Sequence, residues 1–126
     1  MYPYSVNAIV TLYHGTSLKR ADKIQQSGLF LCARLLGDTH WPQHLRIQHK
    51  EGVANYHVDH VFLTSYPDEA AHYAKATAGH DFSSPVVFQL QLPFAILIPE
   101  SILENDECCV AGCLSAGYIV ERQVLQ

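Results

Sequence analysis

Charge is scarce in this chain, and basic charge scarcer still. Of the 126 residues only 16% are charged, with 8 Lys and Arg against 12 Asp and Glu, a formal net charge of −4. The basic residues are scattered rather than clustered, so the cationic face through which nucleic-acid binders neutralise phosphate is missing. A large nucleic-acid partner is therefore disfavoured. No apolar run approaches the roughly 18 residues of a membrane-spanning helix, so no membrane partner is expected. The opening MYPYSVNAIV lacks the basic head and long apolar centre of a secretory signal. A cytoplasmic setting is the default that follows, and Cys32, Cys108, Cys109 and Cys113 then read as free thiols. They also lack the paired Cys-x-x-Cys spacing of structural zinc, while His60 points away from His57 and Asp59 on a strand. No metal is expected. There is no P-loop, G-x-G-x-x-G or G-x-S-x-G, and there are no internal repeats.

What the chain has is apolar matter, 48% of its residues. That suits one domain over residues 1–126, which buries more than about 60% of its unfolded surface on folding. Ile9 to Tyr13 (IVTLY) reads as a strand, and His14-Gly15-Thr16-Ser17 as a turn in which Thr16 or Ser17 caps the next helix. That helix spans Leu18 to Ser27, with Leu18, Ala21 and Ile24 on one face and Gly28 as its left-handed stop. The stretch from Phe30 to Tyr56 is polar and broken by Gly37, Pro42 and Gly52. It reads as a long surface loop, a lid or acceptor-facing segment.

Val58 to Thr64 reads as a second strand. A helix then opens at Pro67, with Asp68 and Glu69 at its positive end, and stops at Gly79. Pro85 to Leu92 alternates cleanly as a half-buried strand, Phe94 to Ile98 reads as another, and Tyr118 to Leu125 as the last. Alternation in that last strand puts Ile119, Glu121, Gln123 and Leu125 on one face. Strands and helices do not alternate strictly, which makes the fold class α+β.

Three blocks carry a resemblance to a known family. LYHGT followed by a helix of the form A-x-x-I-x-x-x-G-L, then HVFLTSYPDEAAHYA, then YIVERQVL, resemble in this order the His-Tyr-Glu branch of the ADP-ribosyltransferases. That branch includes the poly(ADP-ribose) polymerases and small bacterial transferase domains. The resemblance implies two small packed antiparallel sheets with few helices around an NAD+ cleft. It implies a mono-ADP-ribosyltransferase, a toxin or effector domain, with NAD+ as co-substrate and protein rather than nucleic acid as acceptor.

By the same resemblance His14 holds the adenosine ribose hydroxyls and Gly15 the nicotinamide carboxamide. Thr16 and Ser65 line the NAD+ site, Phe62 and Tyr73 sandwich the nicotinamide ring, and Glu121 is the catalytic carboxylate. The chemistry is coherent. A carboxylate beside the nicotinamide ribose stabilises the cation that develops as the glycosidic bond breaks. Two features depart from the family. Phe62 stands where a Tyr is usual, which leaves only stacking. Gln123 matches the second acidic position of the toxins' Glu-x-Glu pair, so two positions remain open for the carboxylate. The alternatives are an RNA 2′-phosphotransferase-like enzyme, for which Arg34 and Arg46 are the only loop arginines, and a catalytically inactive NAD+- or partner-binding module.

Overall fold

Strand β1 (Ile9–Ser17) is the spine of the molecule. In the computed structural model, which describes residues 8–31, 60–97, 107–111 and 113–125, it pairs antiparallel along its whole length with β4 (Pro85–Pro93). The register runs without a break from Ile9 opposite Pro93 to Ser17 opposite Pro85. The expected turn at His14–Ser17 is therefore extended strand: the β4 ladder carries the backbone straight through Gly15. Helix α1 (Leu18–Ser27) follows at once. Ser17 caps it, accepting from the Arg20 N–H at 3.3 Å, and Gly28 ends it at φ 79° with its N–H on the Ile24 carbonyl at 2.8 Å. The conformation at Gly28 is one that glycine adopts without steric cost.

Strand β2 (Leu29–Leu31) was not expected, and the rest of the proposed loop, from residue 32 to 57, lies outside the described residues. Strand β3 (His60–Thr64) leads through a bend into helix α2 (Pro67–Asp81). This helix passes Gly79 and ends at Phe82, which takes the left-handed conformation itself at φ 59°. Phe94–Ile96 is a single 3-10 turn rather than a strand. Strands β5 (Glu107–Ala111), β6 (Cys113–Ser115) and β7 (Ile119–Val124) complete the described chain.

The strands form a five-stranded sheet in the order β5-β3-β1-β4-β7 and a two-stranded sheet, β2-β6, all antiparallel. With two helices among the described residues, the class is α+β. None of these helices is long and apolar enough to cross a membrane.

Cross-strand partners share a face, so the register sorts the large sheet. One face carries Val10, Leu12, Val86, Phe88, Leu90 and Leu92, which pack with Ala21 and Ile24 of α1 and with Phe30 and Leu114 of the small sheet. His14, opposite Phe88, belongs to this side. The other face carries Tyr13, Gly15 and Val87 under α2, whose Ala70, Ala74 and Ala78 are buried.

Strand β7 breaks the expected alternation. Leu90 pairs with Ile119 and Gln89 with Glu121, so Val120 is an extra residue in a bulge. Ile119 therefore lies on the α1 side with Arg122 and Val124, while Glu121 and Gln123 lie on the α2 side. The bonds of Arg122 agree: it pairs with Asp22 at 3.1 Å and donates to Gln25, both on α1.

Candidate functional site

Beside β1 the sheet opens. β1 and β3 pair at one position only, Tyr13 with Thr64, and then part. The His14 side chain works in this seam, where its Nδ1–H donates to the Phe62 carbonyl at 2.8 Å. Its ring meets Phe30 edge to face, centroids 5.0 Å apart, and Phe30 meets Phe88 likewise at 5.5 Å. Donation from Nδ1 fixes the neutral tautomer and leaves the Nε2 lone pair as an acceptor. Burial lowers the His14 pKa below 6.5; the bond to Phe62 opposes the shift and the charge of Arg20 reinforces it.

The sign of the pH effect follows. Above about pH 6.5 neither the folded nor the unfolded chain protonates this imidazole; below it the unfolded chain takes up the proton first. The His14 contribution to stability is thus fully present above 6.5 and is lost as pH falls through the lower folded value. Thermal denaturation from about pH 7.5 down to 5 should show a steeper decline for the wild type than for His14→Asn. Parallel declines would mean that the imidazole titrates as it does in water.

Gly15 has a demanding neighbour. A Cβ here would stand 1.8 Å from the Ala70 carbonyl oxygen and 2.8 Å from the Ala74 nitrogen of α2. The alanine stripe of α2 and the bare Gly15 together let the helix lie directly on the strand. Thr16 is buried on the α1 side, opposite Val86. Ser17, fully buried, donates its hydroxyl to Asp81 at the end of α2. Asp81 also accepts from the Ser83 hydroxyl at 2.6 Å and the Ser83 N–H at 3.2 Å. Burial pushes this carboxyl up, but the bonds from Ser17 and Ser83 and the charge of Arg20 outweigh it and hold it below 3.8. Ser17 and Asp81 therefore tie the start of α1 to the end of α2, a contact no sequence motif announced.

Counting on from the Tyr13–Thr64 pair brings Phe62 alongside Gly15, its side chain on the α2 side of the sheet. Tyr73 sits on the turn of α2 that covers Gly15, next to Ala74. Both aromatics are half-buried, and Ser65 lies in the bend between β3 and α2. Thr64, buried at the end of β3, donates to Glu69 at 3.0 Å and fixes the entry to α2. The fold thus gathers His14, Gly15, Phe62 and Tyr73 around the seam, the imidazole on one side of the sheet and the two aromatics on the other. If Tyr73 binds ligand through its ring, Tyr73→Phe keeps NAD+ affinity and Tyr73→Ala lowers it about 2- to 10-fold, as measured by calorimetric titration. Equal affinity in all three proteins would make Tyr73 a packing residue.

Glu121 is not gathered with them. It is exposed on the edge strand, on the α2 side, and its side chain makes no hydrogen bond or ion pair among the described residues. Gln89 stands between it and Tyr13 in the cross-strand row, so two strand spacings, about 10 Å, separate Glu121 from β1. What the chain brings to the His14 side near β7 is the turn Ala116–Tyr118, whose Ala116 and Tyr118 pack on the same core as Phe30. Neither Gly117 nor its neighbours supply a carboxylate. Arg34 and Arg46 lie outside the described residues.

No protein-family model matches the sequence, and no curated protein does. The fold is similar to that of protein CC0527 from Caulobacter crescentus, known from an X-ray crystal structure, at a TM-score of 0.54. The likeness covers 93% of this chain and 87% of that one at 10% sequence identity, and it is a likeness of fold alone.

Proposed function

We propose that this chain binds NAD+ at the seam between β1 and β3 and, as a mono-ADP-ribosyltransferase, passes ADP-ribose from it to a protein acceptor. The observation that carries the reading is the state of His14. Its imidazole is anchored through Nδ1 to the Phe62 carbonyl and held against Phe30, and burial favours the neutral form, in which Nε2 is an acceptor for a ribose hydroxyl. The family resemblance gives this histidine the same task. In the reaction the bond between the nicotinamide nitrogen and the ribose carbon breaks, its electron pair staying on that nitrogen, and the acceptor nucleophile forms a new bond to that carbon and gives up its proton to solvent. Nicotinamide leaves neutral, and a carboxylate stabilises the cation that develops.

A second reading, NAD+ binding without transfer, is favoured by one observation. Glu121 stands on the other face of the sheet from His14, and the carboxylate that the described residues bring to β7 on the His14 side, Asp22, is paired with Arg122. Nicotinamide release by the wild type over a panel of acceptor proteins separates the two readings.

Both readings make one demand. His14→Asn keeps a donor near the Nδ1 position and loses the Nε2 acceptor. It should weaken NAD+ binding about 5- to 30-fold, the worth of one or two hydrogen bonds. Unchanged affinity in the folded variant would remove His14 from the site and with it the proposal.

A further inference from the structure

The Nδ1–H bond to Phe62 fixes one corner of the imidazole but does not by itself stop rotation of the side chain about its Cα–Cβ and Cβ–Cγ bonds. What blocks the rotation comes from the small sheet. Phe30 is 1% exposed, pairs with Leu114 of β6, and has its ring inclined 75° to that of His14 with centroids 5.0 Å apart. Behind it Phe88, fully buried, meets Phe30 at 87°, so Phe30 cannot retreat into the core. His14 lies on the strand row next to Phe88, and the three rings form a chain from the centre of the sheet to the open seam.

We infer that Phe30 is a positioning residue for His14, and that the β2-β6 sheet acts as a clamp that aims Nε2 at the ligand. The role rests on the NAD+ reading above; the aiming itself does not. Aromatic pairs prefer such edge-to-face arrangements, and the preference disappears when either ring is replaced by an aliphatic chain. The charge of Arg20 on α1 acts on the imidazole, and the same arginine also acts on Asp81 of α2. Neither charge is altered by a change at Phe30.

The test reads the tautomer directly, by nitrogen-15 NMR of the His14 ring in the full chain. The wild type should show a single Nδ1–H tautomer. Phe30→Leu, or Phe30→Met if the leucine variant does not fold, should relax it toward the mixed tautomers of an unconstrained imidazole. Leu114→Val trims core packing beside the same small sheet while the Phe30 ring and the β2-β6 pairing stay in place. It should lower stability and leave the tautomer as it was.

With NAD+ as the probe, the Phe30 variant should bind about 2- to 10-fold more weakly than wild type. In a His14→Asn background the same change should bring no further loss. An unchanged tautomer in the folded Phe30 variant, or an equal loss of affinity in the His14→Asn background, would reduce Phe30 to core packing and overturn the inference. A wild type that binds no NAD+ sinks the proposed function without altering the tautomer result.

Discussion

Gly15→Ala should destabilise the protein by about 3 kcal/mol or more, a fall of roughly 10–15 °C in Tm, read by thermal or urea denaturation. A methyl group there meets main-chain atoms, the Ala70 carbonyl at 1.8 Å and the Ala74 nitrogen at 2.8 Å, and main chain cannot swing aside as a side chain can. Either α2 lifts from the sheet or β1 bends away from β4, and each course opens a packed contact. Two other glycines calibrate the effect. Gly28→Ala has open space around it but keeps φ 79°, so it should cost only about 1 kcal/mol. Gly79, inside α2 with nothing near, should gain roughly 0.5–1 kcal/mol as alanine. A Gly15→Ala protein as stable as wild type would show that α2 does not lie where it is placed. The same clash means that loss of NAD+ binding in this variant reports on α2 and not on the carboxamide contact.

Glu121→Gln carries the second large effect. If the chain transfers ADP-ribose as proposed and Glu121 is the carboxylate that serves it, nicotinamide release should fall about 100-fold or more while NAD+ affinity stays within about twofold. The amide keeps the shape of the side chain and loses only the charge that stabilises the developing cation. The geometry sets a condition: Glu121 lies on the α2 side, so the nicotinamide ribose must be reached round the open edge that β7 forms. Release that survives Glu121→Gln places the carboxylate elsewhere than β7. Release that survives it and vanishes in Gln123→Ala moves the site two residues along the same face. A wild type that cleaves no NAD+ leaves binding without transfer.

The elements that could be read from the sequence are those whose signal is local. Leu18, Ala21 and Ile24 mark α1, Gly28 its end, Pro67 the start of α2, and the alternation of Val86, Phe88, Leu90 and Leu92 marks β4. Tertiary causes hid the rest. Gly15 read as a break because glycine often is one, yet it is there to admit α2, a partner more than fifty residues away in the chain. Strands β2, β5 and β6 are three to five residues long and are defined by their partners, not by their own pattern. Nothing in YIVERQV signals the bulge at Val120, so Ile119 was read onto the face of Glu121, Gln123 and Leu125 when it lies on the other. The His14 anchor is a backbone carbonyl, which every residue has and no motif reveals. His14, Gly15, Phe62 and Tyr73, which the resemblance names, stand around one seam, while the contact of His14 with Phe30 lay in no motif.

Nine consecutive pairs hold β1 to β4, and a single pair holds it to β3. In energetic terms the five-stranded sheet is two ribbons, β1-β4-β7 and β5-β3, stitched by the Tyr13–Thr64 pair and by the His14 side chain on the Phe62 carbonyl. Such a join lets the smaller ribbon open without unfolding the larger, so amide exchange on β3 belongs to a cheaper excursion than exchange on β1 and β4. A molecule that spans the gap supplies the missing rungs. By mass action it would slow exchange in β3 and β5 far more than in the ribbon that is already complete.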